Sequence, residues 1–153
     1  MTTIEERVAA LEARVAALEG TPAEPGGDGE ETGKLVYGGH ATFGDRRVTW
    51  EMARPPGWLV EQPPGPLAAV LAAAGHPARL RILQLLAQGP RAVADLQSEL
   101  SSASQGQLYH HLKTLGSAGL VEQPERGVYR VTPPAIFPVL AMLAAATDVV
   151  RPR

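Results

Sequence analysis

The segment from Ser104 to Leu115, SQGQLYHHLKTL, constrains the fold of this chain more than any other stretch. Leu108, Leu112 and Leu115 recur with spacings of four and three residues, which is the spacing of one apolar helix face. The other positions are mostly polar, and the segment contains no carboxylate. A helix that faces only water usually intersperses Glu with Lys, so an acid-free polar face indicates a polyanionic partner. Ser104 is a suitable N-cap, which leaves the positive end of the helix dipole free to face a phosphate.

A shorter amphipathic helix is predicted immediately before this segment. Val93, Leu96 and Leu100 fall on one face of it, and residues 101–104 supply a tight polar turn to the next helix. Two helices joined in this way are typical of the helix-turn-helix motif, whose second helix enters the major groove of DNA. Taken alone, the second helix could equally be an ordinary polar surface helix. The helix and turn before it favour the DNA-binding interpretation.

Composition and charge restrict the class of protein. The 153 residues include no cysteine, which excludes disulfides and thiolate metal sites and favours a reducing cytoplasm. No apolar run is expected to reach the length of a bilayer span, and the amino terminus is acidic where a signal peptide would be basic, so we expect a cytoplasmic protein that makes no membrane contact. The net charge of −2 divides into −6 over residues 1–33 and +4 over residues 34–153. The mildly basic body can make only a few phosphate contacts, so we expect dimerisation to supply the rest.

Residues 1–19 predict a short coiled-coil helix. Its apolar positions are spaced 4, 3, 4 and 3 residues apart, as in a heptad seam that favours a parallel two-stranded coiled coil: Ile4, Val8, Leu11, Val15 and Leu18. An isolated helix of this length is marginal, so we expect pairing only when another interface already joins the chains. The alternative is a helix that packs on its own chain. Residues 20–33, rich in glycine, proline and acids, predict a flexible linker.

Residues 34–66 predict a β-hairpin and a proline-rich connection. The arms run over residues 34–43 and 47–52 about a turn at 44–46, and their apolar side chains share one face: Leu35, Tyr37, Ala41, Phe43, Val48, Trp50 and Met52. A lone hairpin is unstable in water, so this face must pack on the body, on a second chain or around a ligand. Ordinary packing is the simpler expectation. A small-molecule effector bound near Trp50 and Trp58 is the alternative.

Residues 67–150 predict the main domain. Two helical stripes come first, made by Leu67, Val70, Leu71 and Ala74 and then by Leu80, Ile82, Leu83 and Leu86. After the helix-turn-helix, residues 120–132 alternate about a turn at 125–127 and predict a second hairpin. Placed beside the recognition helix, this hairpin would be a wing, with Arg126 at its tip and Arg130 on its return strand as phosphate contacts.

The chain ends in a predicted helix from Ala135 to Val150. Its apolar stripe includes four residues expected at a dimer interface: Ile136, Val139, Leu140 and Leu143. A helix this apolar must be buried. Because the small body has already closed its core, we expect a subunit interface to cover the helix.

The motifs AAGHPARLRILQLL, SQGQLYHHLKTL and AGLV, in this order between Leu67 and Thr132, resemble the ArsR/SmtB-like winged helix-turn-helix transcriptional regulators. The resemblance implies a homodimer joined through the first and last helices of the winged domain. It also implies binding to a palindromic operator and repression that an effector releases. The residues matched to the family motif would face double-stranded DNA: Ser104, Gln105, Gln107, Tyr109 and His110. Lys113 would contact a phosphate. A glutamine can pair with adenine through two hydrogen bonds.

The chain departs from the metal-sensing members of that family. Those members carry a cysteine pair on the helix before the recognition helix, where this chain has Arg91-Ala-Val-Ala-Asp-Leu. Asp148 is the only candidate ligand on the last helix. His110 and His111 diverge by about 100° on a helix and do not readily share one ion, so we expect no metal and no other cofactor.

The sequence predicts no catalytic residue, because it holds no phosphate loop, no nucleophile elbow and no carboxylate–histidine cluster. We therefore expect a mainly α protein with small β elements: a winged helix-turn-helix domain preceded by a short coiled-coil helix and a β-hairpin. The expected function is that of a dimeric, sequence-specific DNA-binding repressor. The alternative is a winged-helix protein-interaction module or anti-activator that no longer binds DNA.

Overall fold

The computed structural model describes Val8 and residues 33–43, 46–100 and 104–150. Val8 is helical and exposed. The rest of the predicted coiled coil, including Leu11, Val15 and Leu18, lies outside the described residues. So do the linker up to residue 32 and the turn at residues 101–103.

The described chain forms a hairpin followed by a helical body with a small sheet. Strands β1 (Leu35–Phe43) and β2 (Arg46–Arg54) are antiparallel, and Gly39 lies opposite Trp50. The body then contains α1 (Pro56–Val60), α2 (Pro64–Ala74), α3 (Pro77–Ala87), β3 (Arg91–Ala92), α4 (Val93–Glu99), α5 (Gln105–Ser117), β4 (Val121–Glu125), β5 (Val128–Val131), a 3₁₀ turn (Pro133–Ala135) and α6 (Ile136–Val150). This order confirms the predicted mainly α fold with a hairpin ahead of a winged helix-turn-helix domain.

The proline clusters begin helices as well as ending the hairpin. Pro56, Pro64 and Pro77 each stand at the start of a helix. A proline fits there because the first helical N–H has no partner within the helix and the fixed φ suits the helix. The sequence interpretation, which treated 55–66 as a connection, therefore missed α1 and began α2 three residues late, at Leu67.

One apolar core lies beneath α3, α4 and α5. Its largest fully buried side chains come from four helices of the body: Ile82, Leu83, Leu96, Leu108, Leu112, Leu115 and Val139. The predicted leucine stripe of α5 is thus confirmed. Helix α2 behaves differently, because it reaches the core through Ala73 and Ala74 while Leu67 and Leu71 are 48% and 60% exposed.

The first hairpin packs on its own chain through its apolar face. Tyr37, Val48 and Trp50 are half-buried, whereas the alternate residues of β2 are exposed. The Trp50 ring stacks on Phe137 of α6 with ring centroids 6.0 Å apart and planes 13° apart. Trp58 lies elsewhere, with the Arg54 guanidinium 5.3 Å from its ring centroid. The two tryptophans therefore have different packing partners.

The carboxy-terminal helix is only partly covered. Phe137 and Val139 are buried in the body, whereas Val149 and Val150 are 82% and 78% exposed. The 18 residues Pro133–Val150 have a mean hydropathy of 1.6, so this segment meets the length and composition of a membrane span, contrary to the sequence prediction that no run does. The same composition also suits a helix that packs on a core at one end and on a second chain at the other.

Candidate nucleic-acid interface

Helix α5 is fixed at both ends. At its start, the Gln107 N–H donates to Ser104 Oγ at 3.3 Å and the Ser104 N–H donates to Gln107 Oε1 at 2.8 Å, which is a capping box. At its end, Gly119 has a φ of +72°, and the Leu120 N–H donates to the Leu115 carbonyl at 3.0 Å. Glycine suits this left-handed position, where the chain leaves the helix for the wing.

Burial of one face of α5 sets which side chains face outward. Leu108, Leu112 and Leu115 are at most 2% exposed. Most of the residues predicted to face DNA are exposed: Gln105, Gln107, Tyr109, His110 and Lys113. The exposed positions of α5 therefore carry no carboxylate. Their predicted individual contacts with DNA stay predictions.

Gly106 is a member of this surface that the sequence interpretation did not single out. By helical geometry it lies with His110 and Lys113 opposite the buried leucines. A Cβ added at Gly106 would meet no heavy atom of the described protein within 4 Å. The glycine therefore leaves the amino end of α5 open to close approach from outside. Helical spacing alone could have identified this position.

The capping box gives Gln107 a structural role. Its Oε1 is occupied by the Ser104 N–H, so only its amide NH₂ is free for an outside partner. Gln105 has no such commitment to Ser104 and is exposed. The sequence placed both glutamines on the same surface, but only the structure distinguishes them.

An open hollow of about 780 Å³ adjoins the amino end of α5. Its lining combines residues from the starts of α3 and α5: His76, Arg79, Ser104, Gly106, Gln107, His110 and His111. His76 caps α3, since its Nδ1 accepts from the Ala78 N–H at 3.1 Å. Two helix amino ends thus contribute positive potential to one hollow beside the exposed face.

His111 is half-buried, unlike the exposed His110 beside it. Its ring centroid is 4.8 Å from that of His76, and its buried Nδ1 makes no hydrogen bond within the described part of the chain. Burial, followed by the charges of His76, Arg79 and His110, lowers the pKa of His111 below the ordinary 6.5. No group of three or more histidines, aspartates or glutamates that could hold a metal ion is found among the described residues.

The stretch GHPAR, residues 75–79, connects α2 to α3. The Arg79 side chain donates to the carbonyls of Ala72 and Ala73 at the end of α2. These carbonyls belong to the last turn of α2, where a cation is favourable. Arg79 therefore ties the start of α3 to the end of α2.

The wing is attached to the helix-turn-helix at several points. Strand β5 pairs with β4 and also with β3, a two-residue strand that the sequence did not reveal. The Val93 N–H at the start of α4 donates to the Gly127 carbonyl in the wing turn at 2.8 Å. At the base of the wing, Thr132 Oγ1 donates to the Gly119 carbonyl at 2.8 Å. The wing tip is therefore held in a defined position relative to α4 and α5.

The two wing arginines have different surroundings. Arg126 is exposed in the turn. Arg130 Nε and Nη2 both lie 2.7 Å from Glu122 Oε1 on the neighbouring strand. Arg130 is thus paired across the wing, whereas Arg126 presents its charge to the outside.

The predicted dimer residues of α6 also divide. Val139 is fully buried in the core of its own chain, which leaves it no surface for a second chain and corrects that part of the prediction. Ile136, Leu140 and Leu143 are half-buried. Leu67 and Leu71 of α2, which the sequence did not name as interface residues, offer more exposed apolar surface.

Comparison with known proteins locates the motif in the same region. Residues 74–124 match a family model described as a helix-turn-helix domain. This range runs from the last residue of α2 into β4 and contains the whole helix-turn-helix. With the wing attached to it as described, the chain has a winged helix-turn-helix domain.

Several solved structures resemble this winged domain. One is the homodimeric winged helix-turn-helix DNA-binding domain Mb0332 from Mycobacterium bovis, described as a possible ArsR-family transcriptional regulator. It is 29% identical in sequence with a TM-score of 0.48, and the match covers 60% of this chain and 83% of that one. A possible transcriptional regulator for arsenical resistance is 34% identical, with a TM-score of 0.42 and coverage of 54% and 83%. HlyU from Vibrio cholerae is 27% identical, with a TM-score of 0.47 and coverage of 56% and 96%. No curated protein matches this chain significantly.

Proposed function

We propose that this protein is a homodimeric, sequence-specific DNA-binding transcriptional regulator that acts as a repressor. The observation that carries the proposal is the exposed face of α5, which contains no carboxylate and is held rigidly by a capping box, three buried leucines and the attached wing. DNA is the polyanion that such a face fits, because an α-helix matches the width of the major groove.

In this proposal the residues of α5 divide by task. Gln105 reads a base edge, since its amide is free for the two hydrogen bonds that adenine offers. Tyr109 and His110 also face the bases, and Lys113 binds a phosphate. Ser104 and Gln107 hold the amino end of the helix in position, and the Gln107 NH₂ adds one donor. The hollow beside Gly106 receives a backbone phosphate.

The wing contributes affinity more than sequence preference. Arg126 at the tip contacts the phosphate backbone, whereas Arg130 braces the wing through Glu122. One subunit carries few cations for this purpose, so two subunits are needed for a stable complex. We propose that Leu67 and Leu71, the half-buried face of α6 and the amino-terminal heptad seam join them. Two copies of α5 would then read a palindromic operator.

Sequencing the DNA fragments that copurify with the protein would identify an operator, and fluorescence anisotropy at two salt concentrations would measure the affinity. We expect Arg126→Ala to weaken binding to every sequence alike and to reduce the salt slope by about 1. Gln105→Ala should instead reduce the difference in binding free energy between the operator and an operator with one altered base pair by about 1–3 kcal/mol. Arg54→Ala, which removes an equal charge from the first hairpin, is the control and should leave binding unchanged.

Two results would contradict the proposal. One is a protein that stays monomeric at the concentrations of the assay. The other is a folded protein that binds no DNA even at low salt, which would favour the partner-binding module that the sequence also allows.

A further inference from the structure

A cavity of about 210 Å³ lies where the first hairpin meets the winged domain. The hairpin, the end of α3, the wing strand β5 and the start of α6 each supply part of its wall: Val48, Leu86, Ala87, Arg130, Val131 and Ile136. The winged domain alone would leave one side open, because Val48 belongs to the hairpin. The cavity therefore depends on Val48 of the hairpin to close one of its sides.

The size and lining of the cavity suit a small apolar group. A cavity of about 150 Å³ lined by aliphatic side chains is large enough to hold benzene. The present one is larger and is walled mainly by valine, leucine, isoleucine, alanine and proline side chains. It can hold one aromatic ring or a short branched chain with room for one polar substituent.

Arg130 is the charged residue among those that line the cavity. Its Nε and Nη2 are directed to one oxygen of Glu122, and its Nη1 donates to no acceptor among the described residues. The Nη1–Nη2 edge of the guanidinium therefore remains for a second carboxylate, and this planar edge matches a carboxylate through two hydrogen bonds. The Arg130–Glu122 pair is more than a third exposed on both sides, so an incoming carboxylate can exchange with it at small cost.

We propose that this cavity binds a small monocarboxylic acid whose body is a single aromatic ring or a short branched chain. The ring or chain packs between Val48, Leu86 and Ile136, and the carboxylate pairs with Arg130. The acid then competes with Glu122 for the charge of Arg130, which weakens the ion pair and so acts on the strand that forms the wing. The regulatory consequence rests on the proposed DNA-binding function, but binding of the acid does not.

Benzoate and its neutral counterpart benzamide are suitable probes for the full-length protein, with amide chemical shifts as the readout. Benzoate should shift the resonances of residues 86–90 and 130–136 in a saturable way and bind about tenfold more tightly than benzamide, as expected for one charged contact. Arg130→Gln should remove that preference. Val48→Trp, which fills the cavity from the hairpin side, should abolish binding of both probes.

Thr49→Trp is the matched control, because Thr49 is the exposed neighbour of Val48 on the other face of β2. This variant should bind benzoate as the wild type does. The proposal is overturned if benzoate shifts no cavity resonance, if Val48→Trp binds it unchanged, or if benzamide binds equally well. These binding measurements contain no DNA, so they test the cavity alone. Fluorescence anisotropy without benzoate tests operator binding separately. A wild-type complex that releases DNA on addition of benzoate, when the Val48→Trp complex does not, would connect the two functions.

Discussion

The substitution Gly106→Ala separates DNA binding from stability more sharply than any other change in α5. Within the protein the added methyl is harmless, because it would meet no heavy atom of the described chain within 4 Å. Alanine is also the better helix former by about 0.5–1 kcal/mol, so the variant should be slightly more stable. For a chain of this size that gain raises the thermal midpoint by roughly 1–4 °C.

The same methyl should weaken DNA binding, because it stands at the centre of the face that we place in the groove. A methyl forced into a packed contact costs about 1–3 kcal/mol, which corresponds to about 5- to 150-fold in the dissociation constant. Thermal unfolding and anisotropy with an operator fragment measure the two effects on one sample. Gly116→Ala is the control, since its added Cβ would lie at an ordinary 3.5 Å from the Val121 carbonyl and far from the amino end of α5.

A stable Gly106→Ala protein that binds its operator as tightly as the wild type would refute this placement of the helix. A variant that loses both stability and binding would also contradict the reasoning, since the structure leaves room for the methyl.

Three further predictions follow from the core, the cap and His111. Leu108→Ala should lower the free energy of unfolding by about 2–5 kcal/mol in chemical denaturation, and a loss under 1 kcal/mol would show that this side chain is not in the core. Ser104→Ala should lower the free energy of unfolding by about 0.5–2 kcal/mol. Ser104→Asp should lower it much less, because aspartate can also cap the helix. Because the pKa of His111 is lowered in the folded state, the unfolded state binds more protons as the pH falls through 6.5. Stability should therefore decrease between pH 7.5 and 5.5, and a His111→Gln protein with an unchanged pH dependence would contradict that assignment.

The sequence was sufficient for those parts of the fold whose patterns are local. The leucine spacing of α5 and the Ser104 cap each depend on neighbours within a few residues, and the structure has them as predicted. Alternation of apolar and polar residues likewise located both hairpins. The short helix α1 and the strand β3 were missed because five and two residues carry too little periodicity to distinguish them from loops.

The candidate site was predictable as a surface but not as a set of separate roles. Helical spacing places Gln105 and Gln107 on the exposed side, but the hydrogen bond between the Ser104 N–H and Gln107 Oε1 depends on a side-chain rotamer. The Arg130–Glu122 pair depends in the same way on strand register. Burial of Val139 depends on how far α6 reaches over the core, and a stripe of apolar residues cannot show which of them meets its own chain and which meets another.

The strand β5 explains how a hairpin outside the winged domain could influence the wing. Within four residues this strand contributes Val131 to the core, Arg130 to both the cavity and the ion pair, and Val128 to the pairing beside the wing turn. Val48 shares the cavity with β5, and Trp50 is held separately against Phe137. A substitution at Val48 should therefore affect the wing, whereas a substitution on the exposed side of β2 should affect neither the cavity nor the wing. Because α5 is fixed by its own cap and by buried leucines, such an influence would alter phosphate contacts from Arg126 before it altered base recognition, and so would change affinity more than sequence preference.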